Sequence, residues 1–131
     1  MAKQVLLIED EPNIAEAIRF LLSRDGWTVH IHSDGATAVA AVAVRRPDLV
    51  ILDVMLPNRS GFDILADLRA APATRALPVL MLTARGQARD RELAERTGVS
   101  RFVTKPFANS EILAVVRELA GPRPAPAGDP A

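Results

Sequence analysis

Four compact apolar runs recur along the chain: Val5-Leu6-Leu7-Ile8, Leu49-Val50-Ile51-Leu52, Val79-Leu80-Met81-Leu82 and the shorter Phe102-Val103. Each is continuous rather than alternating. Successive side chains of a strand point to opposite faces, so a strand that is apolar at every position has to be covered on both sides. A parallel sheet with helices on its two faces meets that demand. The segment from Trp27 to His32 is different, because Trp27, Val29 and Ile31 alternate with Thr28, His30 and His32. That pattern predicts a fifth strand with one face partly solvated, at a sheet edge, with His30 and His32 on its solvated side rather than paired on a metal.

Helical patterns fall between the strands. Ile14, Ala17, Ile18, Leu21 and Leu22 lie on one helix face, with Pro12 in the first turn and Gly26 just past the end. Gly35 to Arg46 is rich in alanine and valine and stops before Pro47. Ser60-Gly61-Phe62-Asp63 has the form of a capping box ahead of Phe62, Leu65 and Leu68. A polar helix is predicted over roughly Gln87 to Thr97, and Ile112, Leu113, Val115, Val116 and Leu119 mark the last of five helices. Strands alternating with helices predict a doubly wound α/β sandwich occupying residues 1–120 as one domain. Residues 121–131, Gly-Pro-Arg-Pro-Ala-Pro-Ala-Gly-Asp-Pro-Ala, cannot continue a helix and are expected to form a flexible tail or the start of a linker.

Composition narrows the function. With 131 residues, 49% of them hydrophobic and 24% charged, the chain is too apolar for disorder and long enough to bury a core. Sixteen basic residues cancel sixteen acidic ones, so no broad positive field exists to hold nucleic acid or anionic lipid, and direct binding to either is not expected. The absence of cysteine removes disulfides, thiolate metal sites and a thiol nucleophile. No apolar run approaches the roughly eighteen residues that span a membrane, and the N-terminus lacks a signal-peptide pattern. The expected location is the cytoplasm.

In an open α/β sheet the functional groups gather beyond the carboxyl ends of the strands. Here the first apolar run is followed by Glu9-Asp10-Glu11, the third strand by Asp53, the fourth by Thr83 and the fifth by Thr104-Lys105. Singly, an acid after an apolar strand is often just the first polar residue of a loop. Together they place several carboxylates, a hydroxyl and an ammonium at one edge. Crowded carboxylates repel and raise one another's pKa, which a bound cation relieves. Hard oxygen donors without imidazole or thiolate favour magnesium, with manganese as a substitute. Asp10 and Asp53 are the expected direct ligands, Glu9 acts through a water, and the backbone carbonyl of Met55 supplies a further oxygen. A carboxylate can also be a nucleophile toward phosphorus, with Lys105, Thr83 and the backbone amide of Ala84 neutralising the phosphoryl oxygens.

The sequence resembles the receiver domains of two-component response regulators, from about Lys3 to Leu119. The resemblance rests on Ile8-Glu9-Asp10-Glu11-Pro12, on Leu52-Asp53-Val54-Met55-Leu56-Pro57 with Gly61-Phe62, on Leu82-Thr83-Ala84 and on Thr104-Lys105-Pro106-Phe107, in the family's order and spacing. It implies a flavodoxin-like three-layer sandwich with a five-stranded parallel sheet in order 2-1-3-4-5. It implies Asp53 as phosphoacceptor, Glu9 and Asp10 as the acidic pocket, Lys105 as phosphate partner, and Thr83 and Phe102 as switch residues. A cis Lys105-Pro106 peptide is implied too.

The partners so implied are a histidine kinase or histidine phosphotransfer protein, which supplies the phosphoryl group. A downstream protein would read the face of the fourth strand, fourth helix, fifth strand and fifth helix, and the same face is open to homodimerisation. Such a domain is not a conventional enzyme, although it catalyses its own phosphorylation and dephosphorylation. Ser100 and Arg101 stand where acids are common in the family, and Arg85 lies near the approach of attacking water. Arg85, Arg89 and Arg91 read as a solvated helix face.

Two other readings compete. Phosphatases of the haloacid dehalogenase type also use an aspartate after an apolar strand, but need a second acid two residues later as proton donor, and here that place is Met55. A degenerate receiver that only mediates contacts would have no need to keep the full set of site residues. No GxxxxGK[ST] or GxGxxG accompanies the apolar strands, which argues against nucleotide binding.

Overall fold

The continuous apolar runs become strands of one sheet. The computed structural model describes residues 3–84 and 88–121. Its strands are β1 (Gln4–Ile8), β2 (Thr28–His32), β3 (Leu49–Asp53), β4 (Val79–Thr83) and β5 (Arg101–Thr104). Its helices are α1 (Pro12–Arg24), α2 (Ala38–Arg45), α3 (Gly61–Ala70), α4 (Ala88–Thr97) and α5 (Asn109–Ala120). All neighbouring strands are parallel, in the order β2-β1-β3-β4-β5. This is the flavodoxin-like three-layer sandwich that the resemblance implied, with the chain reversing direction across the sheet between β1 and β3.

The two-residue period of the strands explains why their central runs carry no polar residue. Val5, Leu7, Leu49, Ile51, Leu80, Leu82 and Val103 pack with Ile18 and Leu22 of α1 and Ile112 and Val116 of α5. Leu6, Ile8, Val50, Leu52, Val79 and Met81 pack on the opposite face with Val42 of α2, Ile64, Leu65 and Leu68 of α3, and Ala94 of α4. Each fully buried side chain of this size contributes about 1.5–3 kcal/mol relative to exposure, and truncating one to alanine costs roughly 2–5 kcal/mol because the cavity relaxes only in part.

Helix ends follow local chemistry. Pro12 opens α1 at a position whose N–H has no helical partner, and the Glu11 side chain caps it by accepting from Asn13 N at 3.4 Å. Gly26, at φ 97°, lets the chain turn back into β2. Ser60 Oγ accepts from Asp63 N at 3.3 Å, which is the cap that the Ser-Gly-Phe-Asp pattern predicts. The segment predicted as one helix from Gly35 to Arg46 is instead a 3-10 turn, Gly35–Thr37, followed by α2. The Asp34 side chain caps that turn by accepting from Ala36 N at 3.0 Å. Arg46 takes a left-handed conformation, φ 48°, because Pro47 disfavours a helical residue before it.

The edge position predicted for the second strand holds, but its expected alternation does not. Trp27 is buried just before the strand, its Nε1 donating to Asp25 Oδ2 at 2.9 Å. Ile31 is exposed, whereas His30 and His32 are partly buried and His32 Nε2 shares a hydrogen bond with Thr37 Oγ1 at 2.7 Å. An outer strand has a neighbour on one side only, so the cover over its side chains thins and both faces become mixed. The expectations for Arg85, Gln87 and the tail from residue 122 lie outside the described residues. Among the described residues no helix is long and apolar enough to cross a membrane.

Candidate functional site at the carboxyl edge of the sheet

Strand register brings the polar residues together. Ile8 pairs with Leu52, so the next residues along the parallel strands are Glu9 and Asp53. Asp53 pairs with Leu82, and Thr83 pairs with Thr104, one residue before Lys105. Lys105 N donates to Thr83 O at 2.6 Å, which fixes the residue 105 backbone against the end of β4. The Lys105-Pro106 peptide is cis, as the resemblance implied.

Glu9, Asp10 and Asp53 each offer a carboxylate oxygen, and those atoms lie within 4.8 Å of one another. Glu9 and Asp53 are buried, 1% and 4% exposed, while Asp10 faces solvent. Lys105 Nζ donates to Glu9 Oε1 at 2.7 Å and to Asp53 Oδ2 at 3.3 Å. One ammonium therefore answers two buried carboxylates and leaves the third uncompensated.

The titration of the site follows. Burial first, then the Asp53 carboxylate beside it, raises Glu9 above the ordinary carboxylate value, against the lowering effect of Lys105. Burial alone would lower Lys105, but the hydrogen bond to Glu9 and the charges of Asp53 and Glu9 outweigh it and raise its pKa. Burial leads the Glu9 shift, whereas the Lys105 shift shows that the two carboxylates favour a positive charge beside them. A hard divalent cation is the natural occupant of such an oxygen set, with open access from the Asp10 side.

The remaining predicted residues take distinct places. Met55 exposes its side chain, and its backbone N donates to Asp53 Oδ1 at 3.3 Å, so the turn after β3 wraps its own carboxylate. Thr83 is buried at 1% exposure, and Ala84 is exposed beside it. Phe102 is partly buried and packs against the α2-α3-α4 side of the core. Arg91 stacks on it, the guanidinium carbon 5.2 Å from the ring centroid.

Sequence reasoning missed the residues that hold the loop after Asp53. Gly35 N donates to Pro57 O at 3.1 Å, and Asn58 Nδ2 donates to Asp34 Oδ1 at 2.9 Å. A Cβ on Gly35 would stand 2.4 Å from Arg59 O, and one on Gly61 would stand 2.3 Å from Asp53 O. Only the glycines themselves signalled these close approaches.

The family model for the response regulator receiver domain matches residues 5–117. The chain is 43% identical over 115 residues to the transcriptional regulatory protein TcrX of Mycobacterium tuberculosis, covering 88% of this chain and 48% of that protein. It is 38% identical over 117 residues to the phosphate regulon transcriptional regulatory protein PhoB of Escherichia coli, covering 89% and 51%. The chain thus spans about half the length of these curated relatives. Among solved structures, the receiver domain of sensor histidine kinase PA1611 from Pseudomonas aeruginosa PAO1, with magnesium coordinated in its active site cleft, superposes with TM-score 0.85 at 29% identity, covering 92% of this chain and 99% of that one. The signal receiver domain of a signal transduction histidine kinase from Syntrophus aciditrophicus gives TM-score 0.85 at 30% identity, covering 99% of both.

Proposed function

The chain belongs to the response regulator receiver domain family, and from that premise we propose that it works as a phosphorylation switch whose acceptor is the carboxylate of Asp53. The observation that carries the reading is the bridge of Lys105 Nζ between Glu9 and Asp53, beside a cluster of three carboxylates. A carboxylate oxygen of Asp53 attacks the phosphorus of a phosphohistidine. The new P–O bond forms as the P–N bond breaks, and the electron pair leaves on the donor imidazole. Lys105 then turns its ammonium to the phosphoryl oxygens, and the Thr83 hydroxyl and Ala84 N–H donate to those left over. Water attacking the same phosphorus reverses the state and regenerates the carboxylate.

The donor set fits magnesium or manganese. Asp10, Asp53 and the Met55 carbonyl would hold the ion, with Glu9 acting through a water. When bound, it neutralises charge on the transferring group. The proposed donor is a histidine kinase or histidine phosphotransfer protein of the cytoplasm. An open apolar cleft lined by Ile14, Ala17, Leu21, Pro106 and Phe107 adjoins Lys105, where a donor protein can rest beside the acceptor. Thr83 and Phe102 relay the change to the β4-α4-β5-α5 face, where a downstream protein or a second copy is read. Met55 in the place of a second acid disfavours a phosphatase, and the complete set of reactive groups disfavours a contact-only domain.

The test is intact mass after incubation with acetyl phosphate and magnesium, comparing wild type with Asp53→Asn. A gain of one phosphoryl group that needs both magnesium and Asp53 supports the reading. No gain under any condition overturns it in favour of a contact-only domain.

A further inference from the structure

Arg91 lies on the exposed side of α4, and its guanidinium carbon sits 5.2 Å from the centroid of the Phe102 ring on β5. Among the described residues no carboxylate pairs with Arg91; the ion pairs engage other cations. A second stack, Arg24 on Phe20 at 5.6 Å, joins two exposed residues one turn apart on a single helix. The Arg91 stack instead ties α4 to the sheet. That tie matters because Ala94 is the one buried residue among the described positions of α4, so little else fastens the middle of the helix.

Phe102 is also well placed to feel Thr83. It pairs with Met81, and Thr83 pairs with Thr104, so the two-residue period puts Phe102 and Thr83 on the same face of the sheet. A ring that turns toward Thr83 has to leave the guanidinium.

We propose that Arg91 is a positioning residue for Phe102, holding the ring in its outer place by the cation–ring stack and so setting the resting balance of the switch. The proposal rests on the reading of Asp53 as phosphoacceptor. A partly exposed stack of this kind biases an equilibrium about two- to fivefold. In the proposed switch the ring-inward population is the one that takes up the phosphoryl group, so whatever holds the ring outward slows phosphorylation by up to the same factor.

The test labels the protein with 4-fluorophenylalanine, assigns the Phe102 resonance through Phe102→Leu, and follows acetyl phosphate phosphorylation in parallel. Arg91→Ala is expected to move the resting Phe102 resonance toward its position in phosphorylated wild type and to speed phosphorylation about two- to fivefold. Arg91→Lys, which keeps a cation, should recover part of both effects. In the Phe102→Leu background, which lacks that resonance, the Arg91 substitution should leave the phosphorylation rate unchanged. A resting resonance that stays at its wild-type position in Arg91→Ala overturns the proposal. So does a rate gain that persists without the ring, which would mean that Arg91 restrains phosphorylation by a route other than Phe102. If wild type takes up no phosphoryl group, the acceptor reading fails, while the resting resonance still decides the stack.

Discussion

Nζ of Lys105 donates to Oε1 of Glu9 at 2.7 Å, joining residues 96 positions apart in the chain. The pair is nearly dry, with 14% of the lysine side chain and none of the glutamate side chain exposed. Lys105→Met keeps the stem and removes the charge. Buried Glu9 and Asp53 then face each other without an answering cation, so Glu9 should titrate higher still. The rate of phosphorylation by acetyl phosphate should fall about a hundredfold, the usual effect of losing a preorganised donor to developing charge. Stopped time courses of intact mass measure it, and a rate within a factor of three of wild type would remove Lys105 from the chemistry.

Gly61 opens α3 and also presses on the backbone of Asp53. Its N–H donates to Val54 O at 2.9 Å, and an added Cβ would meet Asp53 O at 2.3 Å and Asp53 C at 3.0 Å. Those atoms are backbone, so no flexible side chain can yield. Gly61→Ala should therefore cost roughly 1–3 kcal/mol in urea unfolding and displace Asp53 enough to weaken magnesium binding in calorimetry. Unchanged magnesium affinity would show that the loop accommodates the methyl group elsewhere.

Asp34 holds the loop after β3 through Asn58, and its titration reports that hold. The hydrogen bond from Asn58, then the one from Ala36 N, lowers its pKa below the ordinary value of 3.8. A lowered carboxylate contributes stability above its unfolded pKa, and that contribution is lost as the pH falls through the lower folded value. In Asn58→Ala the Asp34 pKa should move back up toward 3.8, read by carbon-detected NMR of its carboxyl group. Asp34's share of the acid limb should then shrink, leaving the variant less stable above pH 3.8 and with a shallower fall below it. An Asp34 pKa that does not move would mean that Ala36 N and the neighbouring His32 set it without Asn58.

How much of this was visible in the sequence follows from the range of each signal. The strands and their order were legible because both faces are apolar, and because the motif ending in Lys105 matches a family whose topology is known. The core site was legible because Glu9, Asp53 and Thr83 each follow an apolar run directly and Lys105 follows one a residue later, so strand ends alone locate them. Ile31 misled because alternation reports burial only where a helix covers the strand. The pairing of Arg117 with Asp25 at 2.5 Å, which also fixes Trp27, crosses 92 positions and has no local pattern. Gly35 and Gly61 announced close contacts without naming the partner.

Arg69 is another residue that no motif revealed, and it makes the strongest structural prediction. From the end of α3 its Nε donates to Gly98 O at 2.7 Å and its guanidinium to Leu77 O at 2.7 Å and to Thr74 O and Arg75 O at 3.2 Å. One planar cation thus satisfies carbonyls of the α3-β4 connection and of the turn after α4, where Gly98 adopts φ 102°. Arg69→Met keeps the apolar stem and removes every donor. Part of the loss is offset because the outer carbonyls can turn to water, so the cost should be about 1–3 kcal/mol, seen as a lower urea midpoint with an unchanged m-value. Amide exchange should quicken at residues 98–100. Arg69→Lys should restore less than half of the stability, because a single ammonium cannot span acceptors on two connections. Full recovery by lysine would show that charge, rather than the forked geometry, holds this corner of the fold.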